Sequence, residues 1–215
     1  MTGFRKRQLA GAFIAALSVV PAVGAAQAPG GAPESRPLGA PDAAFGPPIP
    51  SAAPPSREAQ LDALFAELAE PGRTDWEQVE GRIDAIWSRS GSAAMDLLLK
   101  RGNDALEAED YPTAVEHFSA LVEMAPDFAE GWNSRATTFY LMGEVSLSMA
   151  DIEHVLALEP RHFGALSGLG FIAEAMDDPE MALKAFRAVR TLNPNRENIN
   201  EAITRLERMT GETEL

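Results

Sequence analysis

Residues 95–128 read MDLLLKRGNDALEAEDYPTAVEHFSALVEMAPDF, residues 129–162 AEGWNSRATTFYLMGEVSLSMADIEHVLALEPRH, and residues 163–196 FGALSGLGFIAEAMDDPEMALKAFRAVRTLNPNR. Set one above another, these 34-residue lines bring Pro126, Pro160 and Pro194 into one column, and a fixed period in this range marks a repeat array. Other columns agree. The fourth holds Leu98, Trp132 and Leu166, the eighth Gly102, Ala136 and Gly170, and the twentieth Ala114, Ser148 and Ala182. The twenty-fourth holds Phe118, Ile152 and Phe186, and the twenty-seventh Leu121, Val155 and Val189. Small residues at the eighth and twentieth positions let two antiparallel helices cross closely while the large ones fill the space beside them. Each line therefore encodes helix, turn, helix. The turns concur: Asp127 with Glu130 can cap one helix start, Gly143 can end that helix, and Pro179 after Asp178 suits a first helical turn. No segment is left for strands, so the fold class is all-α.

On these columns the chain resembles the tetratricopeptide-repeat (TPR) family, as three consecutive units over 95–128, 129–162 and 163–196. The resemblance implies a right-handed superhelical solenoid of antiparallel helix pairs whose first helices line a concave groove. Two columns depart from the family pattern. Arg101 and Arg135 stand at the seventh position, usually a large aliphatic, and Ala105 and Ala173 at the eleventh, usually aromatic; local loosening of the packing is expected there. Family positions facing a partner hold Asp96, Leu99, Asn103, Leu106 and Glu107 in the first unit and Glu130, Asn133, Thr137, Tyr140 and Leu141 in the second. In the third they hold Gly164, Ser167, Phe171, Glu174 and Ala175. From these, Leu99, Asn103, Asn133, Thr137, Tyr140, Phe171 and Glu174 are the candidate partner-binding residues. Tyr140 and Phe171 either anchor a partner or fill space between adjacent first helices. The carboxylates of Asp96, Glu107, Glu130 and Glu174 favour a basic or neutral segment over an acidic one. Family members that clamp acidic chaperone termini use basic residues where this chain has Leu99, Gly164 and Gly168. Asn103 matches one clamp asparagine, but without the cations a carboxylate would be poorly compensated for desolvation, and no such clamp is expected.

A solenoid needs its ends covered. Beyond Pro194, Asn195 can cap a helix in which Ile199, Ile203 and Leu206 face inward and Glu197, Glu201, Arg205, Glu207 and Arg208 face out, within a capping segment over 197–215. On the other side, residues 56–94 read as a helical hairpin. Leu61, Leu64, Phe65 and Leu68 form one stripe; Trp76, Val79, Ile83, Ile86 and Trp87 form the next, after Pro71-Gly72 and a Thr74/Glu77 capping box. This hairpin is expected over the N-terminal end of the stack, as a degenerate repeat or as a separate cap.

Upstream the composition changes. Residues 27–55 contain nine prolines and few large apolar residues, the signature of a disordered Pro/Ala/Gly-rich tether. Residues 1–26 have a secretory layout: Arg5, Lys6 and Arg7, an apolar run from Leu9 to Val20, then Pro21 and small residues to Ala26. The apolar run has 12 residues, against about 20 for a bilayer span, so a cleaved signal and a periplasmic or secreted product are expected. Such a product would carry 15 Lys+Arg against 32 Asp+Glu, a formal charge of −17. That field disfavours nucleic acid and anionic membrane surfaces.

Nothing in the sequence assembles into catalysis. The chain has no cysteine, which excludes disulfides, thiolate metal sites and a cysteine nucleophile. His117, His154 and His162 belong to no metal or catalytic motif; Asp151 and His154 are expected on a solvated helix face, and His162 in a turn. The Gly168-Leu169-Gly170-Phe171-Ile172-Ala173 run mimics part of a dinucleotide fingerprint but lies inside a repeat helix without the preceding strand that motif needs. The expectation is a non-enzymatic scaffold without cofactor or metal, binding a peptide or helix of another protein. The rival is self-association into a structural assembly; a hydrolase or metal enzyme ranks below both.

Overall fold

Gly102 and Gly170 show why the repeats fold as they do. Each stands where a first helix crosses its partner, and a Cβ at either would overlap the ring of Phe118 or Phe186, both fully buried. The computed structural model describes residues 55–211; the expected export signal, nearly all of the tether and residues 212–215 lie outside the described residues. Among the described residues all regular structure is helical: α1 (Arg57–Leu68), α2 (Trp76–Trp87), α3 (Ala93–Glu107), α4 (Tyr111–Met124), α5 (Ala129–Met142), α6 (Val145–Leu158), α7 (Phe163–Ala175), α8 (Pro179–Leu192) and α9 (Glu197–Thr210). The three repeats are α3–α4, α5–α6 and α7–α8. Because the approach is so close, Gly170→Ala is expected to cost about 1–3 kcal/mol through overpacking, outweighing its helix-propensity gain of up to about 1 kcal/mol. Urea unfolding would measure it.

Consecutive helices pack as antiparallel neighbours within the hairpin and from α3 through α9, but α2 does not pack on α3; α3 also touches α5 while α5 touches α7. The second helices α4, α6 and α8 make at most marginal contact with one another. First helices thus form the closely spaced inner layer of a curved solenoid, as expected. Each repeat buries its own cluster: Met95, Leu99, Phe118 and Leu121 in the first, Ala136, Ile152 and Val155 in the second, Ala182, Phe186 and Val189 in the third. Helix α9 closes the third cluster with Ile199, Ala202, Ile203 and Leu206. Its outer face is exposed at Glu197, Glu201, Arg205 and Arg208, whereas Glu207 turns back to pair with Arg187 at 2.9 Å.

Helix ends follow the sequence in part. Gly143 ends α5 in the left-handed region at φ 85°, and the Asp178 carboxylate accepts the Met181 amide at 3.0 Å with Pro179 in the first turn. Other expected caps are absent, and for Glu130 and Asn195 the side chain has a partner elsewhere. Phe128 precedes α5 without a side-chain cap, and Glu130 is engaged with Asn133 and His162. Helix α2 starts behind Asp75, also without a side-chain cap, so the Thr74/Glu77 box does not form. Arg196, not Asn195, occupies the cap position of α9.

The seventh-position arginines do not loosen the stack. Arg101 is exposed. Arg135 forms a two-pronged ion pair with Asp151, both contacts 2.8 Å, and lies over the rings of Trp132 and Phe139. Asp151 is therefore buried rather than on a solvated face, while His154 is exposed as expected and tilts against Trp132 with centroids 3.9 Å apart.

The larger departure concerns the hairpin. Instead of extending the stack beyond the first repeat, α1 and α2 bury Leu61, Leu64, Phe65, Leu68, Val79, Ile83 and Trp87 against Phe163, with Leu192 alongside. Both of those residues belong to the third repeat. The apolar stripes were legible in the sequence, but a stripe does not name the surface it seeks.

Candidate functional site

The seven candidate groove residues divide by what the inner helices do with them. Leu99 is core, and Thr137 is buried with its hydroxyl donating to the Asn133 carbonyl at 3.0 Å. Asn133 is buried and donates to the Glu130 carboxylate at 3.2 Å. Glu174 is half-buried and accepts from Arg205 at 2.6 Å. Tyr140 is half-buried on the second-repeat cluster, and Phe171 lies edge-on to Phe186 with centroids 5.2 Å apart. Both rings fill space between helices and keep part of their surface open. The buried Oδ1 of Asn103 has no hydrogen-bond partner.

Along the N-terminal ends of α5, α7 and α9 lies the hairpin. Trp87 stacks on His162, with centroids 4.3 Å apart and planes within 9°, and tilts against Phe163 at 5.1 Å. The His162 Nδ1 accepts the Ala165 amide at 3.2 Å, capping α7. That bond leaves Nε2 to carry the proton and donate to Glu130 at 3.2 Å. Arg161 lies over the Phe65 ring and pairs with Asp62 at 2.7 Å. Asn193 donates to Glu80 at 2.9 Å, and Arg196 reaches both Glu80 at 3.6 Å and Ser167 at 3.2 Å. Asn195 forsakes α9 to bind the α1–α2 turn: its Oδ1 accepts the amides of Gly72 and Arg73, and its Nδ2 donates to the carbonyls of Leu68 and Glu70. Long-range side chains thus satisfy the backbone groups that a helix end leaves open.

Three carboxylates meet under α2. Burial, with Glu130 and Glu80 adding to it, pushes the Asp84 carboxyl up to about 8, against the opposing pull of Arg196. Burial also raises Glu80, opposed by Arg196 and the bond from Asn193. The sequence reading placed His162 in a turn, where it is, and missed its stacking role; the signals were two tryptophans on α2 and the Asn193–Arg196 turn, rich in donors. Among the described residues no group of three His, Asp or Glu side chains is placed to hold a metal, and no helix is long and apolar enough to cross a membrane.

Stacked two-helix units with an inner layer of first helices define a helical-repeat protein. No protein-family model matches the chain. A TPR repeat-containing protein of Rhizobium etli is 36% identical over 158 residues, covering 73% of this chain and 78% of that protein. The chain belongs to the TPR repeat-containing proteins. The match is long enough that it necessarily takes in α2 as well as the first repeat. Small glutamine-rich tetratricopeptide repeat-containing protein 2 of Saccharomyces cerevisiae is 29% identical over 133 residues, of which this chain spans only 38%. Among solved structures, the first TPR domain of Spaghetti (RPAP3), bound to an HSP90 peptide, superposes with a TM-score of 0.52 at 19% identity. That superposition covers 54% of this chain and 93% of the domain, and shows a shared fold.

Proposed function

We propose that this protein is a non-catalytic scaffold of the cell envelope whose inner-helix groove holds a segment of another protein. One observation carries the reading: the stack already seats a helical segment outside the three repeats at the N-terminal ends of its inner helices, through ring stacking, ion pairs and side-chain caps. With the apolar stripes of α1 and α2 packed on Phe163, the arrangement matches the mode in which an amphipathic helix lays its apolar face against a partner. A similarly folded TPR domain holding an HSP90 peptide supports the reading. The envelope location rests on the layout of residues 1–26, and predicts that protein isolated from its host begins at about Ala26 or Gln27 by intact mass and fractionates outside the cytosol.

Glu174 is neutralised by Arg205, whereas Asp96 and Glu130 keep their charge in bonds to the neutral Ser90 and His162, so one carboxylate of the four is withdrawn from the field that selects a basic segment. Tyr140 and Phe171 remain the open aromatic surface. Affinity capture from envelope extract tests them, with thermal melting alongside because Tyr140 also packs on the second-repeat cluster: Tyr140→Ala is expected to weaken a partner contact by about 2 kcal/mol or more, beyond any loss of stability. Phe171→Ala should also cost stability through its contact with Phe186. Full retention of the partner by both variants would reject these rings as anchors, and a self-associated species in light scattering would favour a structural assembly instead.

A further inference from the structure

The hairpin is seated on the repeats, yet its seat is poorly resolved electrostatically. Glu80 and Asp84 on α2 face Glu130 on α5, with Arg196 before α9 as the cation among them and His162 at the start of α7 bound to Glu130. The indole Nε1 of Trp87 is buried without a hydrogen-bond partner, and the Nε of Arg196 reaches Glu80 only at 3.6 Å, too far for a hydrogen bond. Unsatisfied buried groups and converging like charges detract from docking. On the C-terminal side the hairpin is joined to α3 by Ser88–Ser92, where Gly91 has φ 84°. Such a segment can let go with little disturbance to the repeats, whose clusters are separate from its own apart from Phe163 and Leu192, the latter shared with the third-repeat cluster.

We propose that α1–α2 is a displaceable intramolecular occupant of the repeat stack, and that the partner replacing it is an amphipathic helix of the same chemistry. It carries an indole to stack on His162 and, two turns earlier, a carboxylate for Arg196 and Asn193. Trp87 and Glu80 hold those places now, seven residues apart on one helix face. The proposal rests on the scaffold reading and names its ligand class. It also makes the scaffold an on–off device, since own hairpin and partner compete for one surface.

Proton linkage sets the direction of control. The docked arrangement pushes the Asp84 carboxyl up to about 8; release would free it of that burial and let it fall toward the ordinary carboxylate range, so the docked state holds an extra proton between those limits. Docking is strongest below about pH 4 as far as this group is concerned, and is lost as pH rises through 8. Glu80, raised by burial, acts in the same sense. Release should therefore increase by up to about tenfold per pH unit between pH 5 and 8 from Asp84 alone, and Asp84→Asn should flatten that dependence.

Two measurements on the full chain test this. Native-state hydrogen exchange, corrected for intrinsic rates, is expected to show α1 and α2 opening together and at least tenfold more often than α5–α8. Equal opening would make the hairpin a fixed part of the core and overturn the proposal. A labelled synthetic peptide of residues 56–90 is then expected to bind Trp87→Ala chain at least tenfold more tightly than wild type, whose own hairpin competes. Removing the ring and carboxylate from the peptide, as Trp87→Ala with Glu80→Ala, should abolish binding. Equal binding to both chains, binding to neither, or a dimer that the peptide cannot break would overturn it, the last in favour of hairpin exchange between copies. None of these readouts needs the cellular partner, so they can fail while capture through Tyr140 and Phe171 succeeds, and the reverse.

Discussion

Phe118→Ala is expected to lower the unfolding free energy by about 3–5 kcal/mol, the range for removing a fully buried aromatic ring. Its ring lies directly against the backbone of α3 at Gly102, where no side chain intervenes, and Met95, Leu99 and Leu121 enclose it. Backbone on one side and packed side chains on the others leave little room for collapse into the cavity. Trp132→Ala should cost less, since that ring is only half-buried, even though its Nε1 bond to the Pro126 carbonyl is lost with it. Glu116→Ala, on the exposed face of α4, should stay within about 0.5 kcal/mol. Urea midpoints at constant slope would rank the three. Equal, mild losses would mean that Phe118 is not the twenty-fourth-column residue facing a glycine, and the 34-residue register would be wrong.

How much was readable follows from where each signal resides. A repeat's own packing is written within 34 residues, so Gly102 opposite Phe118 and Gly170 opposite Phe186 could be paired from spacing alone. The docking of α1–α2 depends on residues more than a hundred positions apart, such as Gly72 with Asn195 or Glu80 with Asn193. No local period encodes that. Asn195 illustrates the ambiguity: an asparagine before a helix reads as its cap, but the same amide satisfies the α1–α2 turn instead. The candidate groove residues were placed by family column, and the columns are right about which helices are inner. They do not separate Thr137, which the neighbouring helices bury, from Tyr140, which they only half cover. Burial there depends on how tightly adjacent units stack.

The Arg135–Asp151 pair was readable in principle, because an arginine in an aliphatic column asks for an acid nearby, and it supports the second large effect. Arg135→Met is expected to cost about 3–5 kcal/mol by leaving the Asp151 carboxylate uncompensated where its side chain is 6% exposed. Asp151→Leu should cost less. The guanidinium it abandons is 17% exposed, keeps Ser119 at 3.3 Å, and retains its stacking on Trp132 and Phe139. Restoring charge balance with both substitutions should recover most of the loss, to within about 1 kcal/mol of wild type or above it, because apolar side chains of similar volume escape the desolvation that the ion pair must offset. Four urea titrations close the double-mutant cycle. A coupling energy near zero would show that water reaches Asp151 once Arg135 is gone. A double variant as unstable as Arg135→Met would show instead that the arginine's contacts with Trp132 and Phe139, rather than its charge, hold α5 to α6.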